Sequence, residues 1–478
     1  MRMARNTAER AERRAALSAF ATLALVMASH AVLETARDAL FLRSLPAEQL
    51  PWVYLIIAAL TFALAGLESQ LARGARPREL LSIFLFAAAV STFALWAVAD
   101  FVSVASIWLL YVWTGVFGTV AMIHFWLSMS ALFNVTQAKR LFGLVGAGAL
   151  VGAIVGSSLA RVVVSIAEAR ALVPVAALCM LAAALSARLG LVPGRAEGPR
   201  PRPVRMRDAL GVMRAEPYVR RIVAFMLLST IAITLADYLF KREVADAIAP
   251  GELASFFATF YASLNVIALI VQLALASVLL DRAGVPRTLA ILPALLVTGG
   301  LWAALGGGLA AVLFLRGANG SLRHSLHRTA AEVLFVPLAE PQRARAKMVA
   351  DVVGHRVGQA LASLVILLVI ALAPERAALA WIIAASGALT AFLALRSRAS
   401  YLDVFRRQLG ALGRVSEPRL PPLDRAALEA LIGALDSPRE DEALASLEVF
   451  REQGRVDLVP ALILHHPSAP SCRRKTSR

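Results

Sequence analysis

Residues 315–332 read Leu-Arg-Gly-Ala-Asn-Gly-Ser-Leu-Arg-His-Ser-Leu-His-Arg-Thr-Ala-Ala-Glu, an unusually polar stretch inside an otherwise apolar run. Arg316 and Arg323 are seven apart and share a helix face, while His324, His327, Arg328 and Glu332 fill the neighbouring faces. Guanidinium groups match phosphate and carboxylate geometry, so a cavity holding Arg316, Arg323, Arg328 and Arg356 favours an anionic solute. Arg328 has Glu332 one turn away, whereas Arg316 and Arg323 have no acid within four residues, which makes those two the better anion ligands. Glu34 and Asp38, Asp237 and Lys241, and Asp351 and His355 are likewise four apart and face the same way. Charges inside spans are costly and by default mark a solute path, with mutual neutralisation as the plain structural alternative, above all for Asp237 with Lys241. Lys241 and Arg356 join the binding set, and Glu34, Asp38, Arg328, Glu332, Asp351 and His355 form a gating or coupling set. His324 and His327 lack a clear third ligand, so no metal is expected.

Those side chains need a membrane to position them. Apolar residues make up 59% of the 478 and charged ones only 17%, with a mean hydropathy of +0.69, a combination foreign to soluble domains. The 49 Lys and Arg against 32 Asp and Glu give +17, but the cations sit between apolar runs, which excludes nucleic acid as a partner and points to the bilayer. A bilayer core of about 30 Å takes roughly 20 residues of helix. Twelve runs qualify: 15–33, 51–67, 80–98, 104–125, 141–160, 171–187, 222–236, 253–280, 289–305, 309–335, 349–372 and 377–395. The first could be mistaken for a signal peptide, but Glu34, Arg37 and Asp38 continue its helical pattern into a segment rich in charge. Alternate loops concentrate the cations, with nine over 188–221. That asymmetry places both termini in the cytoplasm of a multi-pass protein of the bacterial inner membrane.

The Pro- and Arg-rich loop 188–221 reads as a linker that splits the spans six and six, giving an N-terminal half over 1–187 and a C-terminal half over 222–396. The halves echo each other. Asp38-Ala-Leu-Phe-Leu-Arg43 ends the first span and Asp237-Tyr-Leu-Phe-Lys-Arg242 ends the seventh. Ala138-Lys139 and Ala346-Lys347 are each followed, seven residues past the lysine, by Gly146 and Gly354. Offsets of 199 and 208 residues indicate a duplicated six-helix unit. Gly148, Gly152 and Gly156 lack the strand and acid of a dinucleotide loop and are read as a close-packing face. No Walker loop, nucleophile elbow or HExxH is present, so neither an ATPase motor nor a hydrolase is expected, and no cofactor. Cys179 and Cys472 suggest no redox role.

Taken in order, Phe125-Trp126, Ala138-Lys-Arg-Leu-Phe142, Asp237-Tyr-Leu-Phe-Lys241, Glu332-Val-Leu-Phe-Val-Pro-Leu338, Ala346-Lys347, Asp351-Val-Val-Gly354, Arg356 and Gly358 resemble the ATP/ADP translocases of plastids and intracellular bacteria. The resemblance covers residues 34–365. It implies an all-α membrane protein of major-facilitator-like architecture, twelve transmembrane helices in two six-helix halves that rock about a central cavity to exchange nucleotides. Arg37 stands where that family has a first-helix lysine, and Asp237 where it has a seventh-helix glutamate, positions tied there to nucleotide exchange, which adds both to the expected substrate-binding set. Thr114 and Gln359 replace an acid and a lysine, so the expected solute is ATP/ADP or another phosphorylated anion.

After residue 396 the chain turns soluble in character. Residues 401–412 form an amphipathic helix suited to lie on the membrane, and 423–435, 440–451 and 456–465 look like HEAT-repeat helices. One and a half repeats bury no continuous core, so this short helical tail, 397–478, needs the membrane domain, a protein partner or further sequence. Two other functions compete: a proton-coupled major-facilitator exporter using Asp38, Asp237 and His355, and a membrane-anchored scaffold acting through the tail. The charges of the tenth span argue against a mere anchor.

Overall fold

A computed structural model describes residues 2–71, 77–99, 101, 103–133, 135–191, 206–274, 276–322, 331, 333–372, 376–412, 425–435 and 440–452. Every extended element among them is helical. Eleven helices are long and apolar enough to cross a membrane: Glu12–Ser44, Ala47–Leu64, Glu79–Val98, Val104–Leu132, Leu141–Ile166, Ala169–Gly190, Pro217–Ala247, Leu253–Ala274, Pro286–Ala304, Gln342–Leu372 and Ala377–Ser397. They are spans one to nine, eleven and twelve. Span ten is described over Gly308–Leu322, 15 residues, and its polar continuation over 323–330 lies outside the described residues. Large side chains such as Trp52, Ile83, Phe86, Leu185 and Phe392 are exposed on the outer faces, as lipid contact requires.

The two sets of six spans pack alike. Span one lies against four, five and six, and span three against four and six, with two against four; span seven lies against ten, eleven and twelve, nine against ten and twelve, and eight against ten. Between the sets, span five meets eight and span two meets eleven, contacts that exchange under a twofold relating the halves, and span one also meets eight. Asn265 of span eight reinforces the first seam by donating to the Ala153 carbonyl at 3.2 Å and to Ser157 Oγ at 3.3 Å.

Small residues allow the closest approaches. A Cβ on Gly152 or Gly156 would collide with the carbonyls of Ala24 and Ala28, and on Gly148 with that of Phe20, so span five rides directly on the backbone of span one. Span eleven repeats this on span seven, where Gly354 abuts Met226 and Gly358 abuts Leu227 and Thr230. Gly306 and Gly308, at φ +94° and +51°, supply the left-handed residues of the tight turn from span nine to ten.

Several expectations are corrected. Gly317 and Gly320, residues whose type predicts a bend in span ten near a binding site, are passed through as unbroken helix; Gly320 serves to let Leu264 of span eight approach. Span eleven contains an eight-residue π-helical segment, Ala350–Val357, between α-helices Glu340–Val349 and Gly358–Leu372. The expected membrane-surface helix at 401–412 is instead the end of one helix, Arg376–Leu412, because no proline or glycine interrupts residues 388–409. Within the expected linker, Met206–Ala215 is a helix that buries Ala209 against Glu340–Val349. Helices Arg425–Leu435 and Glu440–Glu452 pack on each other and on the Arg376–Leu412 helix, while 456–465 lies outside the described residues.

Candidate functional site: a closed ring of six charges

Helical periodicity puts Glu34, Arg37 and Asp38 on one face of span one, and Asp237 and Lys241 on one face of span seven. Arg316 enters from span ten. Together they close a ring in which signs alternate. Arg37 meets Glu34 at 3.5 Å, Glu34 meets Arg316 at 3.4 Å, and Arg316 meets Asp237 at 3.4 Å. Asp237 meets Lys241 at 2.9 Å, Lys241 meets Asp38 at 3.2 Å, and Asp38 returns to Arg37 at 3.3 Å. Three cations face three carboxylates, so the ring is neutral as a whole. Buried charge without compensation costs several kcal/mol per ion, and here each of the six is held by two neighbours of opposite sign.

Three tyrosines, one each from spans two, four and eight, complete the coordination. Tyr54 donates to Asp237 Oδ2 at 2.9 Å and Tyr261 to Asp38 Oδ2 at 2.7 Å, while Lys241 Nζ donates to Tyr111 at 2.7 Å. The cations also lie over rings: Arg37 over Tyr111 at 4.7 Å, and Arg316 over Tyr261 at 5.5 Å and Phe240 at 5.8 Å. Thr114, where the resemblance implies an acid, only bonds back to the Leu110 carbonyl at 2.8 Å; Tyr111, one turn away, does the coordinating. These phenols were not singled out from the sequence. The available signal was a phenolic oxygen in an apolar span, a group that needs a partner when buried.

The ring lies off centre. Asp38 is about 9 Å and Asp237 about 15 Å of helix from the ends of their helices, and Arg316 about 12 Å from the start of its own, all at the end that carries the one–two, seven–eight and nine–ten connections. Toward that end Phe41 packs edge-on against Tyr111, and Arg242 pairs with Glu48 at 3.8 Å. Exposure is graded across the ring: the side chains of Asp38 and Lys241 are 0% and 2% accessible, those of Glu34 and Asp237 25% and 19%. One edge is therefore sealed and the other reachable.

Toward the opposite end is a second polar group. Arg356, on the π-helical segment, donates to Thr119 Oγ1 of span four at 3.4 Å, and the Asp351 carboxylate of the same segment acts on it electrostatically. The His30 imidazole lies against Gly118 with its Nδ1 buried and unpartnered. His355 shares a 2.9 Å hydrogen bond with Thr230 of span seven, and Asp351 lies exposed nearby on the same segment. Of the residues singled out from the sequence, Glu34, Arg37, Asp38, Asp237, Lys241 and Arg316 come together, and Asp351, His355 and Arg356 form a separate group. Arg323, Arg328 and Glu332 lie outside the described residues. Arg316 is not the unpartnered cation its local sequence suggested, since it finds two acids on other helices.

No protein-family model matches the chain, and no curated protein matches it. Solved structures do. A mutant of the nucleoside transporter NupG superposes with a TM-score of 0.59 at 12% identity, covering 81% of this chain and 99% of that one. A bacterial homologue of the iron transporter ferroportin, inward-facing, gives 0.54 at 14% identity over 81% and 98%. A bacterial homologue of the human lysosomal transporter Spinster, inward-facing and unoccupied, gives 0.51 at 14% over 83% and 97%. Identities this low speak for the fold alone. That fold is the major-facilitator-like one, an all-α membrane protein of two six-helix halves.

Proposed function

We propose that this chain is a secondary transporter that carries its solute by alternating access, with the six-charge ring as the gate at one end of the path. The carrying observation is that the ring is built from both halves, three charges from span one and three from spans seven and ten, and so must part when the halves separate there. A static anchor has no use for it. The likeness to solved transporters supports the same reading at the level of fold.

The solute we propose is a phosphorylated anion, with nucleotides such as ATP and ADP first in line, exchanged across the inner membrane of a bacterium with both termini in the cytoplasm. Support comes from Arg356, whose guanidinium donates to the Thr119 hydroxyl, and from Arg316, whose Nε is buried and without a hydrogen-bond partner. On this topology the ring closes the outer side, and its accessible edge faces a path from the cytoplasm. The deciding experiment is uptake of labelled ATP, ADP and other phosphorylated solutes into liposomes holding the purified protein and preloaded with counter-solute. Saturable uptake that depends on the internal solute is expected; no uptake of any phosphorylated solute would remove the proposal.

A further inference from the structure

We propose that Lys241 and Arg316 form an anion site that the carboxylates of Asp38 and Glu34 occupy, while the ring is closed, as tethered stand-ins for the solute's phosphate. This rests on the gate reading above and says what opens the gate.

Of the six ion pairs in the ring, only Lys241–Asp38 and Arg316–Glu34 join the two halves; the other four each lie within one half. Those two ring pairs, with the Arg242–Glu48 pair beyond them, must break when this end opens. The C-terminal half then keeps two cations with one carboxylate, Asp237, between them. Two donors left on one side of a single acid call for one more anion with at least two acceptor oxygens, which a phosphate provides. Arg316 has a spare donor in Nε, and the rings of Tyr261 and Phe240 beneath its guanidinium hold it in place independently of Glu34.

The graded exposure sets the order of events. An anion arriving along the accessible edge meets the Arg316–Glu34 pair first, and the sealed Lys241–Asp38 pair only after that one has yielded. A solute that takes Glu34's place thus replaces the ionic contact it breaks, while an empty carrier has nothing to put there. The closed ring is in this sense autoinhibited by its own acids.

Binding of inorganic pyrophosphate to the purified full-length chain tests this without requiring transport. Glu34→Gln should bind pyrophosphate about tenfold more tightly than the parent, an effect of the size usual for coupled sites. Asp38→Asn, checked for folding by its melting curve, should shift binding in the same direction. Glu34→Gln combined with Arg316→Gln should lose the gain. Glu48→Gln removes the same charge and a half-exposed cross-half pair at the same end without freeing a ring cation, and should change binding far less than Glu34→Gln. Unchanged or weaker binding in Glu34→Gln, no detectable binding in either the parent or that variant, a gain that survives in the double variant, or an equal gain in Glu48→Gln would each overturn the proposal. If the parent moves no phosphorylated solute in liposomes while Glu34→Gln shows the gain, the transport reading falls and the anion site stands.

Discussion

Asp38 and Asp237, the two aspartates that open the repeated Asp-x-Leu-Phe-x-Arg frame, grip the same ammonium: Lys241 Nζ lies 3.2 Å from one and 2.9 Å from the other. Equivalent positions in the two halves thus converge on one cation, and that cation belongs to only one copy of the frame, since Leu42 stands at the matching place.

Removing that shared cation should be severe. Lys241→Met strands two carboxylates, one of them fully buried, and the expected loss is about 3 to 5 kcal/mol, the cost of breaking a buried pair from one side. A large fall in the melting temperature of the detergent-purified protein is the readout; a melting curve equal to the parent's would contradict the ring.

The two arginines should separate cleanly. Arg356→Gln gives up one 3.4 Å contact with Thr119 and should weaken binding of phosphorylated solutes while leaving the melting temperature nearly unchanged. Arg316→Gln deprives both Glu34 and Asp237 of a partner and should lower stability as well. Parallel melting curves and binding titrations decide it, and equal stability loss in both variants would sink the distinction.

Tyr261→Phe removes the 2.7 Å hydrogen bond to Asp38 but none of the ion pairs. A hydrogen bond to a charged group contributes about 1.5 to 3 kcal/mol, so a measurable drop in stability smaller than that of Lys241→Met is expected.

Glycines of span five should respond according to what faces them. Gly152→Val drives a side chain into the Ala24 carbonyl, which cannot rotate away, and should cost about 1 to 3 kcal/mol. Gly143, with nothing within 4 Å of a built Cβ, should accept alanine and gain up to about 1 kcal/mol of helix stability. Melting curves of the two variants should move in opposite directions.

Topology can be read by labelling. With Cys179 and Cys472 replaced, a cysteine at Arg200 should react with a membrane-impermeant maleimide only after cells are opened, since the cation-rich loops are expected to face the cytoplasm. Labelling in intact cells would invert the orientation.

The spans were legible because the bilayer imposes one length and one composition on each of them. The charges of spans one and seven were legible too, because carboxylates and cations are conspicuous in apolar helices. Arg316 was seen but its partners were not: Glu34 and Asp237 are far from it in sequence, and local spacing carries no information about helices that meet only in the folded bundle. Tyr54, Tyr111 and Tyr261 escaped for a related reason, since an amphipathic ring fits an apolar run without disturbing its pattern. The π-helical segment under Arg356 left no compositional mark, because a change in hydrogen-bond register is decided by packing against span seven. At the other extreme, Gly148, Gly152 and Gly156 declared their close-packing role through spacing alone.

The ring also bears on how the two halves recognise each other. Span one contributes two acids and one base, while spans seven and ten contribute two bases and one acid. Two copies of the first unit set face to face would bring like excess charges together, and so would two copies of the second. The two halves are electrostatic complements here, each disfavouring a copy of itself and favouring the other. At this seam the difference in charge between the halves works as a pairing code, one that favours the assembly of unlike halves over a pairing of either half with itself.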